Sequence, residues 1–243
     1  MKDSHSHKIT REEKIAKGVP RKVNPKFEQE RKVPPIQAKN EFQKRVLKAL
    51  KTKQIVVLLA PAGVGKSYLT MSQAADWLVN GDIDKLMIAR TAVGMGRTHG
   101  FLKGDLDQKY TPFLMPLIEV FVERYGKGKY DTALAAGNIE MVATEHLRGR
   151  NISGLAILEE SQNTTPDEMF SIVTRVTEDG KLFIIGDPTQ TDIKTLNGLS
   201  WLEDFVEKHS LQEYIEIIKA TSDDIVRGGM CKAFVKAMEA ERA

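Results

Sequence analysis

Cysteine occurs once in the 243 residues, at Cys231, so no intrachain disulfide can brace the fold, and a reducing, cytosolic compartment is the expectation. Aromatic side chains make up only 7% of the chain. With so few rings to stack on bases, any nucleic acid this protein binds is expected to be held with weak sequence preference. No apolar run approaches the ~18 continuous residues of a membrane-spanning helix, and the basic N-terminus leads into no apolar signal core, so neither membrane insertion nor secretion is expected. His5 and His7 stand without further ligand types nearby, which leaves them no metal-site pattern. Repeats and low-complexity tracts are absent as well.

What is present is a chain that is 41% hydrophobic, long enough for one good core. The formal net charge is a mild +3, but residues 1–39 hold 11 Lys/Arg against 5 Asp/Glu, so the remainder is net negative. That opening segment also carries prolines at 20, 25, 34 and 35 and little apolar periodicity. Residues 1–38 therefore read as a basic, flexible arm, and 39–243 as the folded domain. The arm is open to two readings, a nucleic-acid-seeking tail or a solvated tail with no partner.

From "NEFQKRVLKAL" onward, Phe42, Val46, Leu47 and Leu50 recur at helical spacing. Short apolar runs follow at 54–60, 85–90, 139–144, 155–160, 181–187 and 214–220, separated by helical or irregular stretches. Such alternation predicts an α/β fold whose mostly parallel sheet is covered by helices on both faces. Residues 91–138 are harder to read, mixing Gly94, Gly96, Gly100 and Gly104 with an apolar helix around "FLMPLIEVFVERYG".

The first apolar run ends in "APAGVGKS", Ala60 to Ser67, and continues as a helix. This is a phosphate-loop pattern with alanine in place of the first glycine. Pro61, Ala62, Gly63, Val64, Gly65 and Tyr68 supply or flank the backbone cradle, in which Gly63 and Gly65 let successive N–H groups face one anion. Lys66 sets its ammonium against the outer phosphates, and the Ser67 hydroxyl is a magnesium ligand. The helix that follows adds its N-terminal dipole. A nucleoside triphosphate, taken to be ATP with Mg2+, is the expected ligand.

Two further strand ends complete the chemistry. "LAILEE" finishes in Glu159 and Glu160, like charges side by side, which a cation would reconcile. Alternation along a strand would point them to opposite sides, one at the metal and one at the γ-phosphate. "FIIGDPTQ" brings Asp187 and Gln190, whose amide can both donate to a phosphate and accept from an attacking water.

Taken together, "APAGVGKSYL", "GFLKGDLDQKYTPFLMPL", "EHLRGRNISGLAILEESQNTTPDEM", "GDPTQTDI" and "SDDIVRG" resemble the PhoH-like proteins, phosphate-starvation-associated ATPases related to superfamily 1 helicases. The likeness runs over roughly residues 40–235. It implies a single RecA-like P-loop NTPase domain that binds ATP and magnesium, assembles as a homo-oligomeric, hexameric ring, and takes RNA or single-stranded nucleic acid as partner, with helicase activity. It also implies Gln43 as the adenine-reading glutamine, Ser67 and Glu159 as metal positions, Glu160 as catalytic base and Gln190 as γ-phosphate sensor. The family usually has Asp where this chain has Glu159. Arg227 is the first choice for a catalytic arginine acting across a ring boundary and Arg148 the second, with Arg150 also at a motif position; Arg90 is assigned to nucleic acid or phosphate. Arg97 and Lys103 are expected to hold a strand backbone. The alternative is an ATP-binding, nucleotide-gated nucleic-acid scaffold with little turnover; a small-molecule kinase is disfavoured because no phosphoacceptor lid is recognisable.

Overall fold

The computed structural model describes residues 33–91 and 106–242, the second stretch with side chains from residue 112 onward. Residues 1–32 of the arm, with His5 and His7, and also Arg97, Lys103 and the glycines at 94, 96, 100 and 104 lie outside the described residues. Pro34–Ala243 form one compact unit. Residues 34–38, assigned to the arm on composition, belong to this unit. Ile36 packs on the core, and the Pro34 carbonyl accepts a hydrogen bond from Arg124 at 3.3 Å.

The unit opens with α1 (Glu41–Thr52), which starts where Asn40 caps the Gln43 N–H at 2.9 Å; Glu41 in the first turn and Lys51 in the last suit its dipole. Then come β1 (Ile55–Leu59), α2 (Lys66–Asn80), β2 (Leu86–Arg90), α3 (Leu106–Tyr125), α4 (Lys127–Ala135), β3 (Ile139–Ala143) and the short α5 (Thr144–Leu147). The remainder is β4 (Leu155–Glu159), α6 (Pro166–Val173), β5 (Lys181–Gly186), α7 (Gly198–Lys208), β6 (Ile215–Lys219) and α8 (Gly229–Arg242). Helix α6 begins in a capping box, Thr165 and Glu168 satisfying each other's backbone N–H groups, with Pro166 in the first turn where its missing donor is harmless.

All six apolar runs form strands, and every pairing among them is parallel, in the order β3-β2-β4-β5-β1-β6. Every residue of β1 is buried, as a strand covered on both faces requires. Its side chains alternate between two cores. Val56 and Leu58 join α1, α2, α3 and α4 on one face, while Ile55, Val57 and Leu59 join α5, α6 and α7 on the other. Each fully buried Val, Leu or Ile contributes about 1.5–3 kcal/mol, so the two layers are the main source of stability.

From β1 the chain crosses β5 and β4 to reach β2, and from β5 it crosses β1 in the other direction to reach β6. Parallel sheets bind ligands beyond the carboxyl ends of their strands at such reversals. Among the described residues, no helix is long and apolar enough to cross a membrane.

Candidate functional site

The turn after β1 is built by two glycines that hold left-handed angles, Gly63 at φ +89° and Gly65 at φ +93°. Gly65 is also the N-cap of α2, with no side chain capping the helix. The free N–H groups of the first turn thus stay available to an anion. Val64 turns its side chain into the core, and its carbonyl accepts from Gln43 Nε2 at 2.9 Å. The Gln43 Oε1 accepts the Lys39 N–H at 2.8 Å. One N–H of that amide thus braces the loop and its oxygen holds the segment before α1, while the second N–H and the second lone pair have no partner assigned by these two bonds.

Lys66 Nζ donates to the Ala60 and Pro61 carbonyls. Burial pushes its ammonium pKa down, against the opposing pull of Asp187, Glu159 and Glu160. Thus the loop lysine already stands in the field of all three acids.

A cleft of about 870 Å3 gathers Ala62, Gly63, Gly65, Lys66, Ser67 and Tyr68 from the loop and the start of α2. Gln43, Glu159, Glu160 and Arg227 line it too, with Pro34, Pro35, Gln37, Lys39, Glu123 and Arg124 at other points of the wall. A small adjoining cavity of about 80 Å3 joins Lys66, Glu159 and Glu160 to Asp187 and Gln190. The predicted convergence of three strand tips is therefore present, and the strand between those of the loop and the acidic pair is the one that carries Gln190.

The acidic pair is not arranged by strand alternation. Glu159 is the last residue of β4, 8% exposed, whereas Glu160 leaves the strand with φ +52°, the left-handed region that few side chains adopt. That turn is what lets both carboxylates line the same cavities. Burial pushes the Glu159 carboxyl pKa up, and Glu160 adds to this; a hydrogen bond with Ser67 and the charges of Lys66 and Arg90 oppose it. Its Oε1 is buried with no hydrogen-bond partner, a costly arrangement for a carboxylate.

A hydroxyl and an orphaned carboxylate oxygen are the hard donors that magnesium prefers, so Ser67 and Glu159 fit the ion. Among the described residues, no cluster of three or more His, Cys, Asp or Glu could hold a metal alone. Phosphate oxygens would have to complete the coordination, as is usual for magnesium at nucleotide sites.

The candidate arginines lie in different places on the chain. Arg227 lines the cleft of its own chain, because the Val226 and Arg227 N–H groups both donate to the Gly63 carbonyl at 3.1 Å. Arg148 is not brought to the cleft. It lies 3.8 Å from Glu168 on the α6 side, and Arg150 is bound to Glu140 through both terminal guanidinium nitrogens, with Nη2 to Oε2 at 2.9 Å. Arg90 donates through Nη1 to the Phe113 carbonyl at 3.0 Å, and its Nη2 reaches Glu160 Oε1 at 3.4 Å.

Sequence reasoning missed Arg124, which faces the cleft from the apolar helix α3 and clasps Asp76 with Nη2 at 2.6 and 2.8 Å from its two oxygens. Burial and the same aspartate push the neighbouring Tyr125 phenol up to about 12. A lone arginine in an amphipathic helix leaves no motif to find.

A parallel α/β sheet carrying a phosphate loop on one strand tip, paired carboxylates two strands away and a glutamine between them defines a RecA-like P-loop protein, a nucleotide-binding protein of the ATPase type. The chain belongs to the PhoH-like protein family, whose profile matches residues 35–239. Protein PhoH of Escherichia coli strain K12 is 31% identical over 242 residues, covering 97% of this chain and 68% of that one. The PhoH-like protein of Bacillus subtilis strain 168 is 33% identical over 209 residues, covering 84% and 64%, and that of Synechocystis is 32% identical over 207 residues, covering 84% and 62%. This chain thus spans about two thirds of the length of these relatives.

Among solved structures, the HK97 bacteriophage large terminase aligns with a TM-score of 0.53 at 17% identity over 86% of this chain and 48% of its own. The large terminase of a thermophilic bacteriophage, in complex with ADP, aligns at 0.51 with 9% identity, over 82% and 49%. At these identities the likeness is one of fold.

Proposed function

We propose that this chain is a magnesium-dependent ATPase that couples hydrolysis to binding or unwinding RNA or single-stranded nucleic acid, working as a homo-oligomeric ring. The observation that carries the chemistry is one cleft holding Lys66, Ser67, Glu159 and Glu160 together. The loop N–H groups and the Lys66 ammonium hold the outer phosphates, and Ser67 and Glu159 hold the ion. Magnesium, when bound, neutralises charge on the β- and γ-phosphate oxygens. Glu160 accepts a proton from the attacking water, while Gln190, across the smaller cavity, orients that water against the γ-phosphate. Arg227 adds a positive charge from the cleft wall. The ADP complex of the thermophilic phage terminase supports a nucleotide on this fold, and the family supports the ATPase reading.

Steady-state phosphate release with ATP and magnesium, with and without single-stranded RNA, is the test. Turnover in the parent chain and its loss in Lys66→Ala are expected. ATP binding without turnover under either condition would favour the nucleotide-gated scaffold, whereas parental turnover by Lys66→Ala would overturn the site.

A further inference from the structure

Glu160 has an unusual hold on its surroundings. Its left-handed backbone angle, φ +52°, is strained for a residue with a Cβ, and such strain persists only where neighbours over-determine the conformation. Those neighbours are visible. The Thr91 hydroxyl donates to the Glu160 carbonyl at 2.8 Å, which fixes the backbone. Each oxygen of the carboxylate then has its own partner: Oε1 meets Arg90 Nη2 at 3.4 Å, and Oε2 accepts from Gln162 Nε2 at 2.5 Å.

Neither partner is loose. Arg90 closes β2, the strand beside β4, in register with Glu159; its guanidinium is anchored on the Phe113 carbonyl and lies 5.9 Å from the Phe113 ring centroid. Gln162 is fully buried, and its other end, Oε1, accepts the Asp187 N–H at 3.1 Å. A backbone N–H can only donate and a carboxylate can only accept, so a side chain that joins them must carry one acceptor and one donor. Glutamine does, and glutamate does not. The fit also needs Gly186, where a Cβ would come within 2.8 Å of Gln162 Oε1. Beyond Asp187, its Oδ2 accepts from Gln190 Nε2 at 2.8 Å, so the base and the phosphate-facing glutamine belong to one hydrogen-bonded chain.

We infer that Arg90 and Gln162 are positioning residues that aim the Glu160 carboxylate at the attacking water from opposite sides, one from the tip of β2 and one tied to the tip of β5. The inference rests on the proposed ATPase reading and deepens it. Neither residue is among those that line the cleft beside the phosphate loop. Their loss therefore acts on turnover rather than on nucleotide affinity, since an aim lost by about 1 Å costs on the order of 10²-fold in rate.

The experiment measures kcat by phosphate release and Kd with a fluorescent ATP analogue for the full chain and for Arg90→Ala, Arg90→Lys, Gln162→Glu, Glu160→Gln and the double variant Arg90→Ala/Glu160→Gln. Expected are a drop in kcat of about tenfold or more in Arg90→Ala and Gln162→Glu with Kd within about twofold, and partial recovery in Arg90→Lys. Free guanidinium should raise the Arg90→Ala rate. The double variant should be no slower than Glu160→Gln, because residues acting as one unit are not additive. Parental kcat in Arg90→Ala and Gln162→Glu, or equal losses of kcat and affinity with no guanidinium rescue, would overturn this inference while leaving the ATPase reading intact. A parent chain that releases no phosphate, or an active Glu160→Gln, would overturn both.

Discussion

The backbone N–H of Arg227 donates to the carbonyl of Gly63 at 3.1 Å, which fastens the segment before α8 to the phosphate loop of the same chain. On the proposed function, an arginine held this way would serve the nucleotide at its own loop. Arg227→Ala is expected to lower kcat by at least tenfold, in the direction that loss of a catalytic guanidinium takes, whose full effect reaches about 10³ to 10⁵. Mixing Arg227→Ala chains with Lys66→Ala chains should restore nothing. Recovery of phosphate release in the mixture would show instead that the guanidinium works across a subunit boundary.

A side chain at Gly63 would be both strained and crowded. A Cβ there would meet Cys231 Sγ at 3.0 Å, Arg227 Cβ at 3.1 Å and Ile225 Cγ2 at 3.2 Å, on a backbone already at φ +89°. Gly63→Ala is expected to destabilise the fold by about 1–3 kcal/mol and to weaken ATP-analogue binding, because strain and crowding fall on the same turn. Denaturant melts and a binding titration check it. An alanine variant with parental stability and affinity would mean that the clasp around the loop is loose.

The partnerless Oε1 of Glu159 points to a trade between stability and ligand binding. Burial raises this carboxyl's pKa, so the folded state is favoured at low pH and loses that advantage as pH rises through the raised value. Glu159→Gln removes the charge at constant shape. Without metal or nucleotide it should melt about 2–4 °C above the parent near pH 7.5, the shift of roughly 1 kcal/mol in a chain of this size, with a smaller gain at pH 4. With magnesium and ATP analogue the order should reverse, because only the parent gains the ion's stabilisation. Thermal melts under these three conditions decide it, and a variant that melts below the parent without ligand would contradict the buried-charge account.

On the far side of the sheet tips, Arg150 and then Lys85 hold the Glu140 carboxyl down at about 2, against an ordinary value of 4.5. A depressed carboxylate stabilises the fold above pH 4.5, and that contribution fades as pH falls toward about 2. Because the carboxylate is about a third exposed, solvent screening limits it to about 1 kcal/mol. Glu140→Gln should thus lower stability at pH 7 and flatten its decline between pH 5 and 3. The same variant should leave kcat near the parental value, since Arg150 is committed to this pair; a tenfold loss would return Arg150 to the list of catalytic arginines.

Much of the fold was legible because its signals are local. Ile55–Leu59 reads as a strand from five consecutive apolar residues, and Gly63 and Gly65 read as a loop because only glycine takes those angles freely. The site was legible in part. Lys66, Ser67, Glu159, Glu160 and Gln190 are marked by spacing from strand ends and do converge. Arg124 is a single polar residue without periodicity whose partner lies 48 positions away. Arg90 reads as a contact for phosphate or nucleic acid and not for Glu160, 70 positions on, and Gln162 sits close to Glu160 but has its other partner, Asp187, 25 positions away. Alternation misled at Glu160, where a left-handed turn replaces the strand.

What the amino-acid sequence determined by itself was the set of parts: six buried strands, a glycine turn for phosphate, and acids and amides at strand ends, all set by short-range hydrophobic period and backbone freedom. Only the tertiary structure decided their neighbours. Strand order follows from how two helical layers pack over both faces of the sheet, and that order lays β2 and β5 on either side of β4, placing Arg90 and Asp187 within reach of the acidic tip.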